Sequence, residues 1–182
     1  CSVTLRIAAD CAPGAHPLRL CTADGLGNTL LFQVGVLPEL AEKRDGEAPM
    51  RVPLDCTVNG AIGNEDVDRY EVELPAGTRV QCEVAAVRLG RALLDLVLTV
   101  HGPDGRELAR SDDPAFGLKD PLLAFVAATA GVHTLTLRTA YADAANAGSY
   151  RLHVGTFPRP TGCLPCGGAP GEEVEVRLLG DG

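Results

Sequence analysis

Tryptophan is absent from the 182 residues, methionine occurs once, and the aromatic side chains are limited to four Phe and three Tyr. A binding face of stacked aromatic rings is excluded in all but miniature. Most of the seven fall at core-facing positions, among them Phe32, Tyr70, Phe125 and Tyr150, and only Phe116 and Tyr141 lie in expected loops, over 111–121 and 140–148. No run of about 18 apolar residues occurs, so no helical membrane span is encoded. Basic side chains are scarce as well: 16 Lys+Arg against 24 Asp+Glu give a net charge of −8. That balance disfavours nucleic acid and anionic membrane surfaces, which recruit Lys/Arg patches. The acidity serves solubility, with calcium affinity as the sharper alternative.

The sequence also lacks a catalytic apparatus. Serine occurs at Ser2, Ser111 and Ser149, and none sits in a G-x-S-x-G elbow. His16, His101, His133 and His153 are scattered, with no H-E-x-x-H spacing for zinc. Gly25-Leu26-Gly27 lacks the third glycine of a dinucleotide fingerprint, and no phosphate loop is present. His133 shares a face with Leu135 and Leu137 and reads as packed, whereas His153 alternates outward beside Arg151 and reads as surface. The expectation is a chain that is not an enzyme.

What is present is a 46% apolar share with 21 Gly and 13 Pro, enough to bury a core built of many short strands joined by turns. Alternation predicts strands at 2–7, 17–22 and 29–34. A complete unit over 52–155 carries strands at 52–58, 69–74, 78–87, 93–101, 106–110, 122–127, 132–139 and 149–154. Gly102-Pro103-Asp104-Gly105 supplies a turn with Pro at its second position. Strand 122–127 is apolar on both faces, as expected of a buried strand. Helix signals are weak, with only Ala140–Ala147 rich in alanine and uncapped. The polar, Pro-punctuated stretch 36–51 reads as a linker, and 156–182 contains one alternating strand at Val174, Val176 and Leu178. The organisation expected is 1–35 as the last strands of one domain, 36–51 as linker, 52–155 as a β-sandwich and 156–182 as the first strand of a further domain. Cys1 would suit a lipid-anchored amino terminus. Because the alternation Val3, Leu5, Ile7 begins at once, the expectation is instead a boundary within a longer chain.

Seven cysteines, an odd number, leave at least one thiol free or paired with another chain. Cys163-Leu164-Pro165-Cys166 is the most suggestive spacing. Gly167-Gly168 follows it, so no helix can start there to stabilise a thiolate, and zinc would need two more ligands. A local disulfide and a pair of inert thiols both remain open. Cys56 and Cys82 fall on inward faces, as two buried thiols or as a sheet-bridging disulfide.

Several phrases in order carry a resemblance: Val58-Asn59-Gly60-Ala61-Ile62, Glu65-Asp66-Val67-Asp68-Arg69-Tyr70, Leu94-Asp95-Leu96-Val97-Leu98, the turn Gly102–Gly105, Ser111-Asp112-Asp113, Gly131-Val132-His133-Thr134-Leu135 and Ser149-Tyr150-Arg151-Leu152. Together they resemble the bacterial pre-peptidase C-terminal domain family. The flanks resemble partial immunoglobulin-like domains of the plexin and transcription-factor type, through Ala12-Pro13-Gly14 with Leu18-Arg19-Leu20 and Phe32-Gln33-Val34, and through Phe157-Pro158 with Gly171–Val176. The resemblance implies an all-β, jelly-roll-like β-sandwich with incomplete immunoglobulin-like β segments at both ends. It further implies a non-catalytic module appended to secreted enzymes or repeated in surface proteins, and calcium bound by carboxylates from the linker and from the loop before the second strand.

Carried residue by residue, those ligands are Glu42, Asp66 and Asp68. Arg44 and Gly46 stand where the family has an acid and an amide, and a guanidinium there opposes a cation. Asp112 and Asp113, with Asp120 nearby, offer a second acidic loop, either a calcium site or a solvated turn. The functional expectation is a structural spacer of a large exported protein, located outside the cytoplasm, whose partners are neighbouring domains of its own chain. The alternative is an accessory module of a secreted hydrolase that grips an extracellular protein or polysaccharide, with calcium.

Overall fold

Strict two-residue alternation decides most of the architecture. In Val67–Leu74, Asp68, Tyr70, Val72 and Leu74 are buried while Arg69 and Glu73 are exposed, because successive side chains of a strand point to opposite faces. A computed structural model describes residues 2–43, 48–114, 119–141 and 147–181. Cys1, Arg44, Gly46, Phe116 and most of the alanine-rich stretch lie outside the described residues.

The strands run, in order, β1 (Gly14–Leu18), β2 (Cys21–Thr22), β3 (Gly25–Leu26), β4 (Leu30–Val34), β5 (Glu39–Ala41), β6 (Met50–Arg51), β7 (Cys56–Ile62), β8 (Val67–Leu74) and β9 (Arg79–Ala85). After a 3-10 turn at Val87–Leu89 come β10 (Leu96–His101), β11 (Glu107–Ser111), β12 (Leu122–Val126), β13 (Gly131–Thr139), β14 (Gly148–Gly155), β15 (Arg159–Leu164) and β16 (Arg177–Asp181).

Two five-stranded sheets face each other. The first has the order β11-β10-β13-β8-β6 and the second β12-β9-β14-β7-β5. Their inner faces bury Tyr70, Val72, Leu98, Leu135 and Leu137 against Val58, Val84, Phe125, Leu152 and Val154 in one hydrophobic cluster. The chain is therefore an all-β sandwich. The Gly102 carbonyl accepts from the Gly105 amide at 2.9 Å, closing the turn expected between β10 and β11, with Gly105 at φ 78°. His133 is fully buried among the apolar residues, its ring centroid 5.8 Å from that of Phe125.

Several expectations are corrected. Residues 2–7 form no strand and leave Val3, Leu5 and Ile7 exposed, since no described segment pairs with them. The segment 36–51, read as a linker, is woven into the sandwich. Its β5 lies parallel to β7 at the edge of the second sheet, and its β6 lies parallel to β8 at the edge of the first. Strand β12 is an edge strand with Val126 exposed, so its second apolar face is not covered as a central strand's would be. The strand expected around Val174 and Val176 begins at Arg177 and pairs antiparallel with β15.

The largest correction concerns the outer face of the second sheet. His153, read as surface, is half-buried, and Arg151 beside it is buried. Thr57, Gln81 and Glu83 on the same face are also buried. The segment after β4 lies over them: a Cβ on Gly35 would fall against the side chains of Glu39 and Arg151.

Candidate functional site

One end of the sandwich gathers acid. The tight turn before β8 is held by the Gly63 amide, which donates to Asp66 Oδ2 at 3.0 Å, and Glu65 within it adopts φ 61°. Alternation then turns Asp68 inward, only 9% exposed. Tyr70 from the first sheet and Tyr150 from the second bring their hydroxyls into contact with each other between the sheets. The Tyr150 hydroxyl donates to Asp68 Oδ2 at 2.7 Å and the Tyr70 hydroxyl to Glu42 Oε1 at 3.1 Å. Glu42 is delivered by the end of β5, where its amide donates to the Asn59 carbonyl at 2.9 Å and its Oε2 accepts from the Ala61 amide at 3.1 Å. Burial, reinforced by the carboxylates alongside, pushes both phenols far above their ordinary range, so they remain donors.

A cleft of about 730 Å³ opens onto this network, lined by Glu42, Glu65, Asp66, Asp68, Met50 and Tyr70, with Lys43 and Arg69 also at its wall. The structure thus brings Glu42, Asp66 and Asp68 to one place. All the acidic donors are hard oxygens, the ligand type calcium takes. They share a cleft rather than a closed coordination sphere. Among the described residues, the acidic oxygens that lie within 4.8 Å of one another belong to Asp95, Asp112 and Asp113. In that second cluster Asp113 accepts from Lys119 Nζ at 2.7 Å, an ammonium already serving part of the charge.

Asp120 belongs to neither. It is 4% exposed, and its Oδ1 accepts from the amides of Ala86 at 3.0 Å and Val87 at 2.7 Å, while Arg88 Nε donates to Oδ2 at 2.7 Å. Its carboxylate caps the 3-10 turn and is not available to a cation in the neighbouring loop. Nothing in the local sequence marks this role. The residues it serves are more than thirty positions earlier.

On the outer face of the second sheet the pairing register sets Glu39, Thr57, His153 and Glu83 in one row across β5, β7, β14 and β9. Arg151 pairs with Glu39, and Glu83 receives both Arg88, at 2.5 Å, and Arg159. Thr57 Oγ1 lies 2.8 Å from His153 Nδ1, but Thr57 is 1% exposed and cannot meet a substrate as a nucleophile. Among the described residues a second nucleophile beside an imidazole is Cys11, whose Sγ is 3.8 Å from His16 Nε2. That nitrogen is 2.8 Å from the Ala12 carbonyl, so it carries a proton there and cannot act as a base toward the thiol.

Cys56 and Cys82 are both fully buried free thiols, as the inward alternation required. A sheet-bridging disulfide is ruled out, because both pair with Val154 from opposite sides, placing them on one sheet with β14 between. Burial, with Asp55 nearby, pushes the Cys56 thiol up to about 11. Cys163 and Cys166 are also free thiols.

No known family model matches this chain, and no curated protein matches it. Among solved structures, it is similar to the pre-peptidase C-terminal domain of a collagenase from Bacillus anthracis, with 17% identity, 62% of this chain and 99% of that chain covered, and a TM-score of 0.49. It is also similar to a periplasmic inhibitor of g-type lysozyme from Aeromonas hydrophila, with 11% identity, coverage of 64% and 97%, and a TM-score of 0.45. The corresponding inhibitor from Salmonella Typhimurium gives 17% identity, coverage of 59% and 98%, and a TM-score of 0.39.

Proposed function

We propose that this chain is a non-catalytic structural module of a large exported bacterial protein, holding the neighbouring domains of its own chain in fixed orientation outside the cytoplasm. One observation carries the reading. The carboxy-terminal flank is tied to the outer face of the second sheet by Arg159 with Glu83, and the end of the amino-terminal flank abuts the same face, where a Cβ on Gly35 would fall against Glu39 and Arg151. Partly buried ion pairs fix geometry more than they add stability, which suits a spacer. The sequence resemblance supports the bacterial, extracytoplasmic setting and the immunoglobulin-like nature of the flanks. Spin labels at Ala23 and Glu107, and at Glu175 and Glu107, report the orientation of each flank. Narrow distance distributions are expected, broadened by Arg151→Met in the first pair and by Arg159→Met in the second. Broad distributions in the unaltered chain would overturn the reading.

A second reading rests on the convergence of Glu42, Asp66 and Asp68 on one cleft. It makes the chain a calcium-dependent accessory module of a secreted hydrolase, gripping extracellular protein or polysaccharide. The carboxylates would hold the ion with Tyr70 and Tyr150 orienting Glu42 and Asp68. A ligand bound only by the folded state adds about 2.7 kcal/mol at a hundredfold excess over Kd, which moves the unfolding midpoint by several degrees. A rise in calcium over chelator that is lost in Asp66→Asn/Asp68→Asn supports this reading. No rise leaves the metal-free spacer.

A further inference from the structure

Strand β15 ends in Cys163-Leu164, and the chain bends sharply at Pro165 and Cys166. Within these residues it doubles back, so that Cys166 Sγ donates to the Cys163 carbonyl at 3.1 Å. The sulfur of one cysteine therefore sits beside the backbone of the other. A chain that reverses over four residues brings its first and last Cα within about 7 Å, against the 4.4–6.8 Å or so that a disulfide spans. Cys163 is fixed in the ladder opposite Leu178. Cys166 lies outside it, followed by Gly167, where a Cβ would meet nothing within 4 Å. One partner is held and the other can adjust.

Accessibility separates this pair from the two core thiols, and Cys11 and Cys21, which are also open to solvent, lie apart on the amino-terminal flank. Cys166 is exposed and Cys163 half-buried, whereas Cys56 and Cys82 are sealed in the core. Two alternative uses fail on geometry. No further cysteine or histidine joins the pair in a metal-holding group among the described residues, and zinc needs four ligands. No helix follows, so neither thiolate gains the stabilisation that makes a catalytic dithiol.

We infer that Cys163 and Cys166 form a redox-dependent covalent clasp where β15 gives way to its connection with β16, closed by exchange with a small-molecule disulfide such as oxidised glutathione. The exposed Cys166 thiolate attacks one sulfur of that disulfide, whose S–S bond breaks and releases one thiolate. The Cys163 thiolate then attacks the Cys166 sulfur of the mixed disulfide, forming the Cys163–Cys166 bond and expelling the second thiolate. Two electrons pass from the protein to the small disulfide, and the two thiol protons go to the released thiolates. Resolution is intramolecular across a turn, so the mixed disulfide does not accumulate.

The full chain, reduced and then incubated folded in a glutathione redox buffer, is quenched with acid, alkylated and mapped by mass spectrometry. The expected product has lost two hydrogens within the one peptide that contains Cys163 and Cys166, with Cys56 and Cys82 unmodified. Cys163→Ser should carry at least tenfold more glutathione on Cys166 than the unaltered chain does. Oxidation should also slow hydrogen exchange at Leu178 and Leu179. A persistent glutathione adduct on unaltered Cys166, equal adduct in Cys163→Ser, or pairing of either residue with Cys11 or Cys21 would each overturn the clasp.

Discussion

The hydroxyls of Tyr70 and Tyr150 touch each other between the two sheets, and each also reaches a carboxylate, Glu42 for the first and Asp68 for the second. Two phenolic protons thus serve three acceptors, counting the hydroxyl oxygen shared between the rings. Tyr150→Phe removes one donor from Asp68, which is nearly buried. Leaving such an acceptor short costs about 1–3 kcal/mol. Urea unfolding should show that loss, with a smaller one for Tyr70→Phe because Glu42 keeps its bond from the Ala61 amide. Equal losses would contradict the assigned pairing.

Gly60 lies directly opposite Tyr150 in the β7–β14 ladder, and a Cβ built on it would stand 2.9 Å from Tyr150 Cε1. Gly60→Ala must push the ring aside, an overpacking cost of about 1–3 kcal/mol. Because the displaced ring also loses its contact with Asp68, Gly60→Ala combined with Tyr150→Phe should destabilise by less than the sum of the two. Full additivity would show that the ring does not move.

Asp120 accepts from three consecutive amides, Ala86, Val87 and Arg88, and from the Arg88 guanidinium. Asp120→Ala strands buried donors and should cost about 3 kcal/mol in chemical denaturation. Asp120→Asn keeps an acceptor and should cost about half as much. A loss below about 0.5 kcal/mol for the alanine variant would mean that the turn finds other partners.

His153 gives the sandwich a pH dependence of defined sign. Burial lowers its pKa, as does Arg151 on its own strand. Arg88 from the 3-10 turn acts in the same direction, while Glu83 on β9 and Glu39 on β5 pull it back up. A base whose pKa is depressed on folding binds fewer protons in the folded state. Its contribution is complete above the ordinary value of about 6.5 and is lost as pH falls below that. Urea midpoints measured from pH 7.5 down to 5 should drop more steeply in the unaltered chain than in His153→Gln. Parallel curves would remove His153 from the account.

Local alternation carried much of this structure. Strands β8, β10, β13 and β14 and the turn Gly102–Gly105 follow from pleat and turn chemistry within a few residues. What the sequence concealed is non-local. Strands β5 and β6 are three and two residues long, too short for any periodicity to be read; they are strands only because the edges of β7 and β8 accept them. Arg151 and His153 have the sequence of a solvated face and are covered by a segment more than a hundred residues away. At the acidic end, Glu42, Asp66 and Asp68 were legible through resemblance. The tyrosines were legible only as core, although a Tyr two residues after an inward Asp on the same strand signals a hydroxyl within reach of that carboxylate. Asp120 had no local signature at all.

The parallel pairing of β5 with β7 brings the entry and exit of the chain together. Glu39, where the chain joins the second sheet, and Gly155, where it leaves, lie at the same end of that sheet, separated by β7. Two interstrand spacings amount to about 10 Å. The sandwich hangs from the main line of the polypeptide as a pendant, and the path along the line is barely lengthened by it. Duplication, insertion or loss of such a pendant leaves the spacing of whatever lies on either side almost unchanged.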